Sequence, residues 1–240
     1  MVFPQEHKVP NMDPSDASSP AGQRLAEPPY LQVALDLVDD KVLRRVVEAI
    51  PADKRIILEA GTPLIKRFGV GVMRDISAIR PDAFIIADLK TLDVGKLEVA
   101  IAAEQGAHAA AVSALAPVET VEAFIDECKE RGLRSYVDMM NVSDPAALVS
   151  GLSVKPDVVL LHRGIDAELG GTTVTGWGAI PAIKRAGGEG MLVAVAGGIT
   201  PETAPDALAA GADVLVIGRA ITAADDVNDA AQGFLRILGV

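Results

Sequence analysis

Residues 84–114, FIIADLKTLDVGKLEVAIAAEQGAHAAAVSA, form the segment that decides the fold. An apolar run that suits a buried strand begins at Phe84, and a second apolar run follows His108. The segment between these runs has the spacing of apolar residues that is typical of a helix. A helix between two strands usually serves as the crossover that lets the strands pair in parallel. The segment therefore predicts one βαβ unit.

The same alternation continues along the chain from Tyr30 onward. Eight short apolar runs alternate with segments of helical spacing, and the runs are YLQVALDL, RIILEAG, AFIIADL, HAAAVSA, RSYVDMM, DVVLLHR, MLVAVAGG and DVLVIGR. Eight such repeats predict a protein of the α/β class with one closed (β/α)₈ TIM barrel over residues 30–240. A doubly wound open sheet is the alternative fold, but it does not ordinarily require so many evenly spaced strands.

The composition limits the kind of protein and its partners. Residues 1–29 are rich in Pro, Ser and Asp and lack helical or strand periodicity, so we expect a flexible N-terminal extension. The formal net charge of −11 repels nucleic acid and anionic membrane surfaces, and we expect neither as a partner. One cysteine, Cys128, together with the lack of a long apolar segment and of a secretory signal pattern, predicts a cytoplasmic protein.

Polar residues are concentrated at the positions where the predicted strands end. In a parallel barrel these carboxyl ends meet at one rim, which is where the active sites of this fold lie. Seven of the eight predicted strands end in a charged, titratable or glycine-rich position. These positions are Asp36, Glu59, Asp88 with Lys90, Asp138, His162 with Arg163, Gly197 with Gly198, and Gly218 with Arg219.

Four of these rim residues are acidic, namely Asp36, Glu59, Asp88 and Asp138. Carboxylates gathered in one mouth repel one another, so a cation must compensate their charge or some of them must be protonated. Their oxygens suit Mg²⁺, whereas for softer metals the rim offers no cysteine and only His162 as an imidazole ligand. Lys90 can neutralise charge and transfer a proton. For any single carboxylate, an ion-pair network that stabilises the top of the barrel is the alternative.

Glycine-rich turns end the last two predicted strands. The segment AVAGGITPETA contains Gly197 and Gly198, and the segment VLVIGRAIT contains Gly218 and Arg219. Glycines let backbone N–H groups approach a ligand closely, and the loops after strands seven and eight are the recurrent phosphate site of this fold. Because Arg219 adds a charged donor, the pattern predicts a phosphorylated substrate.

Several segments, in their order along the chain, resemble the orotidine-monophosphate decarboxylase superfamily. They are VALDL, EAGTPLIKRFG, IIADLKTLDVG, YVDMMNV, LLHRGIDAE, GWGAIPAIK, VAVAGGIT and VIGRAIT, and the resemblance extends over residues 30–239. The D-x-K-x-x-D signature from Asp88 to Asp93 identifies only the superfamily. The segments EAGTPLIK and ADLKTLD together are most similar to the 3-hexulose-6-phosphate synthase family in its archaeal form.

This resemblance implies a Mg²⁺-dependent aldol reaction. The reaction interconverts D-ribulose 5-phosphate plus formaldehyde and D-arabino-hex-3-ulose 6-phosphate, and it passes through an enediolate. The resemblance implies that Glu59 and Asp88 are the metal ligands. It also implies that Lys90 stabilises the enediolate oxygen and that His162 transfers the proton.

The resemblance assigns further roles at the edge of the site. Asp36 is expected to position substrate hydroxyls or Lys90. Asp93 is expected to reach across a homodimer interface into the neighbouring active site. Contacts with the substrate or its phosphate are expected from Asp138, Gly197, Gly198, Gly218 and Arg219.

Two decarboxylases of the superfamily and a barrel that only binds a sugar phosphate are the alternative functions. Orotidine-monophosphate decarboxylase has a lysine where Glu59 stands and needs no metal, which argues against that activity here. 3-Keto-L-gulonate-6-phosphate decarboxylase keeps the carboxylate but typically has a second arginine where this chain has Ile165. A barrel that only binds its ligand gains little from proton-transfer groups such as Lys90 and His162.

Overall fold

The computed structural model describes residues 25–164 and 176–239, and these residues contain a closed barrel of eight parallel strands. The strands are Tyr30–Leu35 (β1), Ile56–Ala60 (β2), Phe84–Thr91 (β3), Ala109–Ser113 (β4), Arg134–Asp138 (β5), Val158–His162 (β6), Leu192–Ala196 (β7) and Val214–Ile217 (β8). Each strand pairs with the next in chain order, and β8 pairs with β1 to close the sheet. The predicted TIM barrel is confirmed, and the open sheet is excluded.

Helices follow the strands and cover the outer face of the barrel. They are Asp40–Ala49 (α1), Thr62–Phe68 (α2), Val72–Ile79 (α3), Gly95–Glu104 (α4), Val118–Glu130 (α5), Pro145–Gly151 (α6), Ile180–Gly187 (α7), Ala204–Ala209 (α8), Arg219–Thr222 (α9) and Val227–Ile237 (α10). A short 3₁₀ helix, Trp177–Ala179, precedes α7. Within the described ranges, every helix is too short or too polar to cross a membrane.

Local sequence signals explain where several helices begin and end. The carboxylate of Asp144 accepts a hydrogen bond from the backbone N of Ala147 at 2.9 Å, which caps the start of α6 as the SDPAAL segment indicates. Gly106 follows α4 with φ of +84°, and Gly211 follows α8 with φ of +101°. Residues with a side chain rarely adopt such positive φ angles. A glycine at these two positions therefore lets the helix end.

Alternation along the strands separates two packing regions. On β1, Leu31 and Val33 face outward and pack against the helices, whereas Tyr30 and Ala34 face the barrel interior. Leu25, which belongs to the predicted N-terminal extension, is buried in the same interior cluster as Tyr30. Residues 1–24 of that extension lie outside the described residues. The interior is therefore a packed core whose upper end is left for polar side chains.

The strand registers arrange the inward-facing side chains in layers, each built from alternate strands. The lowest of three layers that matter here contains Gln32, Ile86, Tyr136 and Ala194. The next layer contains Glu59, Ala111, Leu160 and Val216. The uppermost contains Ala34, Asp88, Asp138 and Ala196. The uppermost layer therefore combines two carboxylates with two alanines, whose side chains occupy little volume beside them.

Acidic residues just before β6 and β8 organise the opposite end of the barrel. Asp157 Oδ2 accepts a hydrogen bond from the backbone N of Ser135 at 2.9 Å. Asp213 Oδ2 accepts one from the backbone N of Val193 at 2.8 Å. In both cases the carboxylate satisfies an amide of the preceding strand, so these charges stabilise the barrel and lie away from the candidate site.

Candidate active site

The carboxyl ends of β3, β5 and β6 bring four side chains into one hydrogen-bonded group, the lysine–carboxylate cluster of Asp88, Lys90, Asp138 and His162. Lys90 Nζ donates to Asp88 Oδ1 at 3.0 Å and Oδ2 at 2.8 Å, and to Asp138 Oδ2 at 3.0 Å. His162 Nδ1 lies 2.9 Å from the same Asp138 oxygen. The contact with the substrate that the sequence predicts for Asp138 stays a prediction, and the structure shows that Asp138 also links the lysine to the histidine.

The backbone of β3 is irregular where it presents Lys90. The strand continues to Thr91, beyond the apolar run that ends at Leu89, and its register with β4 shifts between Ala87 and Thr91. Lys90 has φ of +47°, in the left-handed region that few non-glycine residues adopt. Such conformations concentrate at functional sites, where the surrounding structure holds them in place. The irregularity turns the lysine side chain inward beside Asp88.

Charge compensation within the cluster keeps Lys90 and Asp138 in their charged forms. Burial opposes the charged form of Lys90, but the carboxylates of Asp88 and Asp138 raise its pKa above the ordinary value. Burial likewise opposes ionisation of Asp138, but the hydrogen bond and charge of His162, followed by the charge of Lys90, lower its pKa. The resting cluster therefore contains an ammonium group beside ionised Asp138.

Glu59 lies in the layer below Asp88 and is only 6% exposed. Its Oε2 accepts a hydrogen bond from Gln32 Nε2 at 2.7 Å. Burial, and next the charge of Asp88, raise the pKa of Glu59 to about 8. The two carboxylates thus share one electrostatic environment in which their negative charges oppose each other.

The donor set fits a magnesium ion. In residues 25–164 and 176–239, no group of three or more His, Cys, Asp or Glu side chains is placed to hold a metal. Glu59 and Asp88 would instead supply two carboxylates, and Mg²⁺ usually takes one or two together with waters and substrate oxygens. Their mutual repulsion is relieved by a cation, so the chemistry of the pair favours such an ion.

Asp36 extends the acidic mouth at the end of β1. Desolvation of its carboxyl group, and next the charge of Asp88, raise the pKa of Asp36, while Lys90 and Arg219 oppose the rise. A Cβ atom at Gly61 would lie 2.0 Å from Asp36 Oδ1. Only glycine at position 61 therefore leaves the space that the Asp36 carboxylate occupies.

The glycine-rich turns after β7 and β8 lie side by side because their strands are neighbours. Gly197 has φ of +101°, and a Cβ there would lie 2.2 Å from the carbonyl oxygen of Arg163. Arg163 Nη2 donates to the carbonyl oxygen of Gly197 at 3.1 Å, so the end of β6 holds this turn in place. Gly198 also has positive φ, +62°, and Arg219 begins α9 with its side chain exposed.

Asp93 lies outside the lysine–carboxylate cluster. It is exposed, and its Oδ1 accepts a hydrogen bond from the backbone N of Val94 at 2.8 Å. Val94 has φ of +50°, which is strained for a β-branched residue. The loop thus presents Asp93 at the surface next to the start of α4.

Three residues beside the site have no role in the sequence analysis. They are Gln32, Gly61 and Thr62. Thr62 Oγ1 donates to Asp88 Oδ2 at 2.7 Å, and so holds a carboxylate that Lys90 also contacts. The sequence could have indicated Thr62 as a residue of the site, because Thr62 carries a hydroxyl group and lies two positions beyond a strand end in the EAGTPLIK segment.

A TIM barrel that gathers titratable side chains and glycine-rich turns at the carboxyl ends of its strands defines an enzyme of the α/β-barrel class. Residues 29–234 match the model of the family described as Orotidine 5'-phosphate decarboxylase / HUMPS family. The match covers most of the chain, and the protein belongs to this family.

Individual members of the family are similar to this chain over most of its length. Proteins named "Bifunctional enzyme Fae/Hps" from Methanoculleus marisnigri and Methanoregula boonei are 54% and 53% identical to this chain. These matches cover 90% and 89% of this chain but 54% and 53% of the relatives, so the chain spans about half the length of the curated relatives that it matches. The solved 3-hexulose-6-phosphate synthase from Salmonella typhimurium is 30% identical with a TM-score of 0.79, over 88% of this chain and 98% of that chain.

Proposed function

We propose that this enzyme catalyses the aldol reaction that interconverts D-ribulose 5-phosphate plus formaldehyde and D-arabino-hex-3-ulose 6-phosphate. The observation that carries the proposal is the shared contact of Lys90 and His162 with Asp138 Oδ2. A cation and a proton-transfer group are thereby held side by side where a sugar's oxygens must become negative. The similarity to solved 3-hexulose-6-phosphate synthase over nearly its whole length supports this choice among the reactions of the family.

The aldol step needs a proton removed from C1 of ribulose 5-phosphate and a proton delivered to the formaldehyde oxygen. When bound, Mg²⁺ would supply positive charge for the substrate oxygens, with Glu59 and Asp88 as its protein ligands. Lys90 presents its ammonium group to the same region and stabilises negative charge on the enediolate oxygen. The new bond joins C1 of the enediolate to the formaldehyde carbon, and the reverse reaction breaks this bond.

His162 is the proton carrier in this scheme. Its Nδ1 is engaged by Asp138 Oδ2 at 2.9 Å, so Nε2 is the ring nitrogen that exchanges a proton with the substrate. Asp138 is 1% exposed and keeps the ring in this orientation, as a carboxylate does for other catalytic histidines. One histidine can remove the proton from C1 and return it to the new hydroxyl, which balances the reaction.

The activity is tested by supplying the full chain with ribulose 5-phosphate, formaldehyde and Mg²⁺. We expect formaldehyde to be consumed with formation of the hexulose phosphate, and we expect EDTA to stop the reaction. The matched assay supplies 3-keto-L-gulonate 6-phosphate and measures release of CO₂. Faster turnover of that substrate would establish the decarboxylase alternative, and phosphate-ester binding without turnover of either substrate would establish a binding barrel.

The turns that follow β7 and β8 are the proposed site for the phosphate of the substrate. Replacing Arg219 with methionine is expected to raise the KM for ribulose 5-phosphate by about 10- to 100-fold, because a hydrogen bond to a charged group contributes about 1.5–3 kcal/mol. The value of kcat should change much less, since the phosphate is remote from C1. Steady-state kinetics at saturating formaldehyde check both values. Arg185→Met is the control, because Arg185 is an exposed arginine in the last turn of α7; an equal KM in both variants would exclude Arg219 from the phosphate site.

A homodimer is the proposed assembly. Five large apolar side chains are 49–58% exposed around the starts of α4 and α5, and together they form the α4–α5 patch of Leu92, Val94, Leu97, Leu115 and Val118. Exposed apolar groups of this kind mark protein contacts, and two of these residues flank Asp93 in sequence. A second copy that covers the patch would bring Asp93 close to the partner's mouth, as the family resemblance implies.

Replacing Leu97 with glutamate is expected to shift the protein from dimer to monomer, because the new charge would be buried in the contact. Sedimentation velocity at several protein concentrations measures the shift. Leu97→Met keeps the apolar side chain and should leave the dimer intact. A wild-type protein that sediments as a monomer, or a Leu97→Glu variant that remains dimeric, would contradict the assignment of the patch.

A cytoplasmic location is also proposed. Cys128 is buried on α5, where burial, followed by nearby negative charges, raises the pKa of its thiol well above the ordinary value. A buried thiol of this kind is unreactive. A chain with a single cysteine has no internal disulfide framework, which is usual for proteins of the reducing cytoplasm.

A further inference from the structure

Gln32 is a polar residue in the middle of an apolar strand. It stands in the segment YLQVAL of β1, is only 1% exposed and faces the barrel interior. Its amide nitrogen donates to Glu59 Oε2 at 2.7 Å, whereas its amide oxygen has no hydrogen-bond partner in the described part of the chain. A buried acceptor without a hydrogen bond destabilises the fold. We therefore expect a hydrogen-bond donor beside this oxygen.

A donor stands in the same layer of the barrel. Tyr136 on β5 belongs to the layer of Gln32, and its hydroxyl is buried without a hydrogen-bond partner among the described residues. Burial, and next the charge of Glu59, raise the pKa of Tyr136, so the hydroxyl keeps its proton and lies within the electrostatic influence of Glu59. The layer therefore contains one unsatisfied acceptor and one unsatisfied donor beneath the same carboxylate.

The rest of this layer is apolar. Neither Ile86 nor Ala194 has a polar side-chain atom, and Ala194 has the smallest side chain of the four. A water molecule is stable inside a protein where it finds two or more polar partners and enough space. A water between Gln32 Oε1 and the Tyr136 hydroxyl would satisfy both groups.

We propose that Gln32 is a positioning residue for Glu59, and that a buried water held between Gln32 Oε1 and the Tyr136 hydroxyl fixes the orientation of its amide. A glutamine amide has a donor end and an acceptor end, and the two can exchange by rotation. With the oxygen held toward Tyr136, the nitrogen faces Glu59, stabilises its ionised carboxylate and fixes one of its oxygens. This inference rests on the proposed role of Glu59 as a magnesium ligand.

The first test is calorimetric titration of the metal-free full chain with Mg²⁺ alone. Gln32→Leu is expected to weaken Mg²⁺ binding about 10- to 100-fold, the range typical of partners that orient a metal ligand. Tyr136→Phe should weaken binding by a smaller factor, and the double variant should bind no more weakly than Gln32→Leu, since Tyr136 acts through Gln32. Ile86→Val changes the packing of the same layer without removing a polar atom, and it should leave the affinity unchanged.

Crystal structures of the metal-free variants give a second readout that needs no metal. The wild type should show a water between Gln32 and Tyr136, and Tyr136→Phe should lose it. In Gln32→Leu the Glu59 side chain should move from its wild-type position. An unmoved Glu59, or equal Mg²⁺ affinity in the wild type and Gln32→Leu, would overturn the inference. If the wild type bound no Mg²⁺ but Glu59 still moved in Gln32→Leu, the positioning role of Gln32 would stand. The proposed role of Glu59 as a magnesium ligand would then be wrong.

Discussion

Replacing Lys90 with methionine is expected to lower kcat by about 10³-fold, the scale on which one preorganised donor stabilises a developing negative charge. The Lys90 ammonium contacts both Asp88 and Asp138, and these carboxylates keep it charged at neutral pH despite its burial. Methionine has a similar length and shape but carries no charge. The enediolate oxygen would then form without this cation beside it. Initial rates of formaldehyde consumption at saturating substrate measure the loss.

The fall in kcat of the Lys90→Met variant must be distinguished from the effect of a less stable fold. Lys90 is the shared cation of two buried carboxylates, and removing one member of a buried ion pair costs about 3–5 kcal/mol. Lys90→Arg keeps the charge, and we expect it to unfold near the wild-type temperature while kcat still falls, because a planar guanidinium does not reproduce the contacts of Nζ. Lys54→Met is the surface control, since the Lys54 side chain is 76% exposed. A folded Lys90→Met variant with wild-type kcat would remove Lys90 from the mechanism.

The barrel was predictable because its signals are local and repeated. Each strand is a short apolar run, and turn residues such as Gly106 mark the ends of the helices between them. The convergence of Asp88, Asp138 and His162 followed from one rule of topology, since parallel strands bring their carboxyl ends to the same rim. No side-chain geometry was needed for this step.

Departures from regular geometry were not predictable in the same way. The sequence pattern indicated one helix between β2 and β3, whereas the structure has α2 and α3. Helix α2 is only seven residues long, too short to show a clear period, although Pro63 in its first turn is a valid signal for its start. The left-handed backbone of Lys90 is likewise imposed by the surrounding structure, because lysine has no intrinsic preference for it.

Contacts between residues that are far apart in sequence were the hardest part of the site to predict. Gln32 lies 27 positions before Glu59, and a single polar residue in an apolar strand gives no indication of its partner. Thr62 and Asp88 are 26 positions apart and meet only because β2 and β3 are adjacent. Side chains at the carboxyl ends of the strands were thus easier to identify than the side chains that hold them, since strand ends mark only the former.

Replacing Glu59 with glutamine is expected to lower kcat by about 10²-fold or more and to weaken Mg²⁺ binding, because a neutral amide replaces a carboxylate in the proposed donor set. Glutamine has nearly the same shape, so packing in the interior layer should be kept. Calorimetric titration with Mg²⁺ and the dependence of rate on Mg²⁺ concentration measure the two effects. Asp53→Asn, at the opposite end of the barrel before β2, removes one carboxylate without touching the mouth and serves as the control.

The pH dependence of Mg²⁺ binding distinguishes loss of the ligand from general damage to the site. Burial and the charge of Asp88 raise the pKa of Glu59 from 4.5 to about 8, so below that pH the metal-free protein holds a proton that Mg²⁺ must displace. The wild-type affinity should therefore increase about tenfold per pH unit from pH 6 to 7.5 and level off above 8. Glu59→Gln has no such proton and should show a much flatter profile. Equal slopes of affinity against pH in both proteins would mean that another group releases the proton. Glu59 would then not be the ligand that makes Mg²⁺ binding depend on pH.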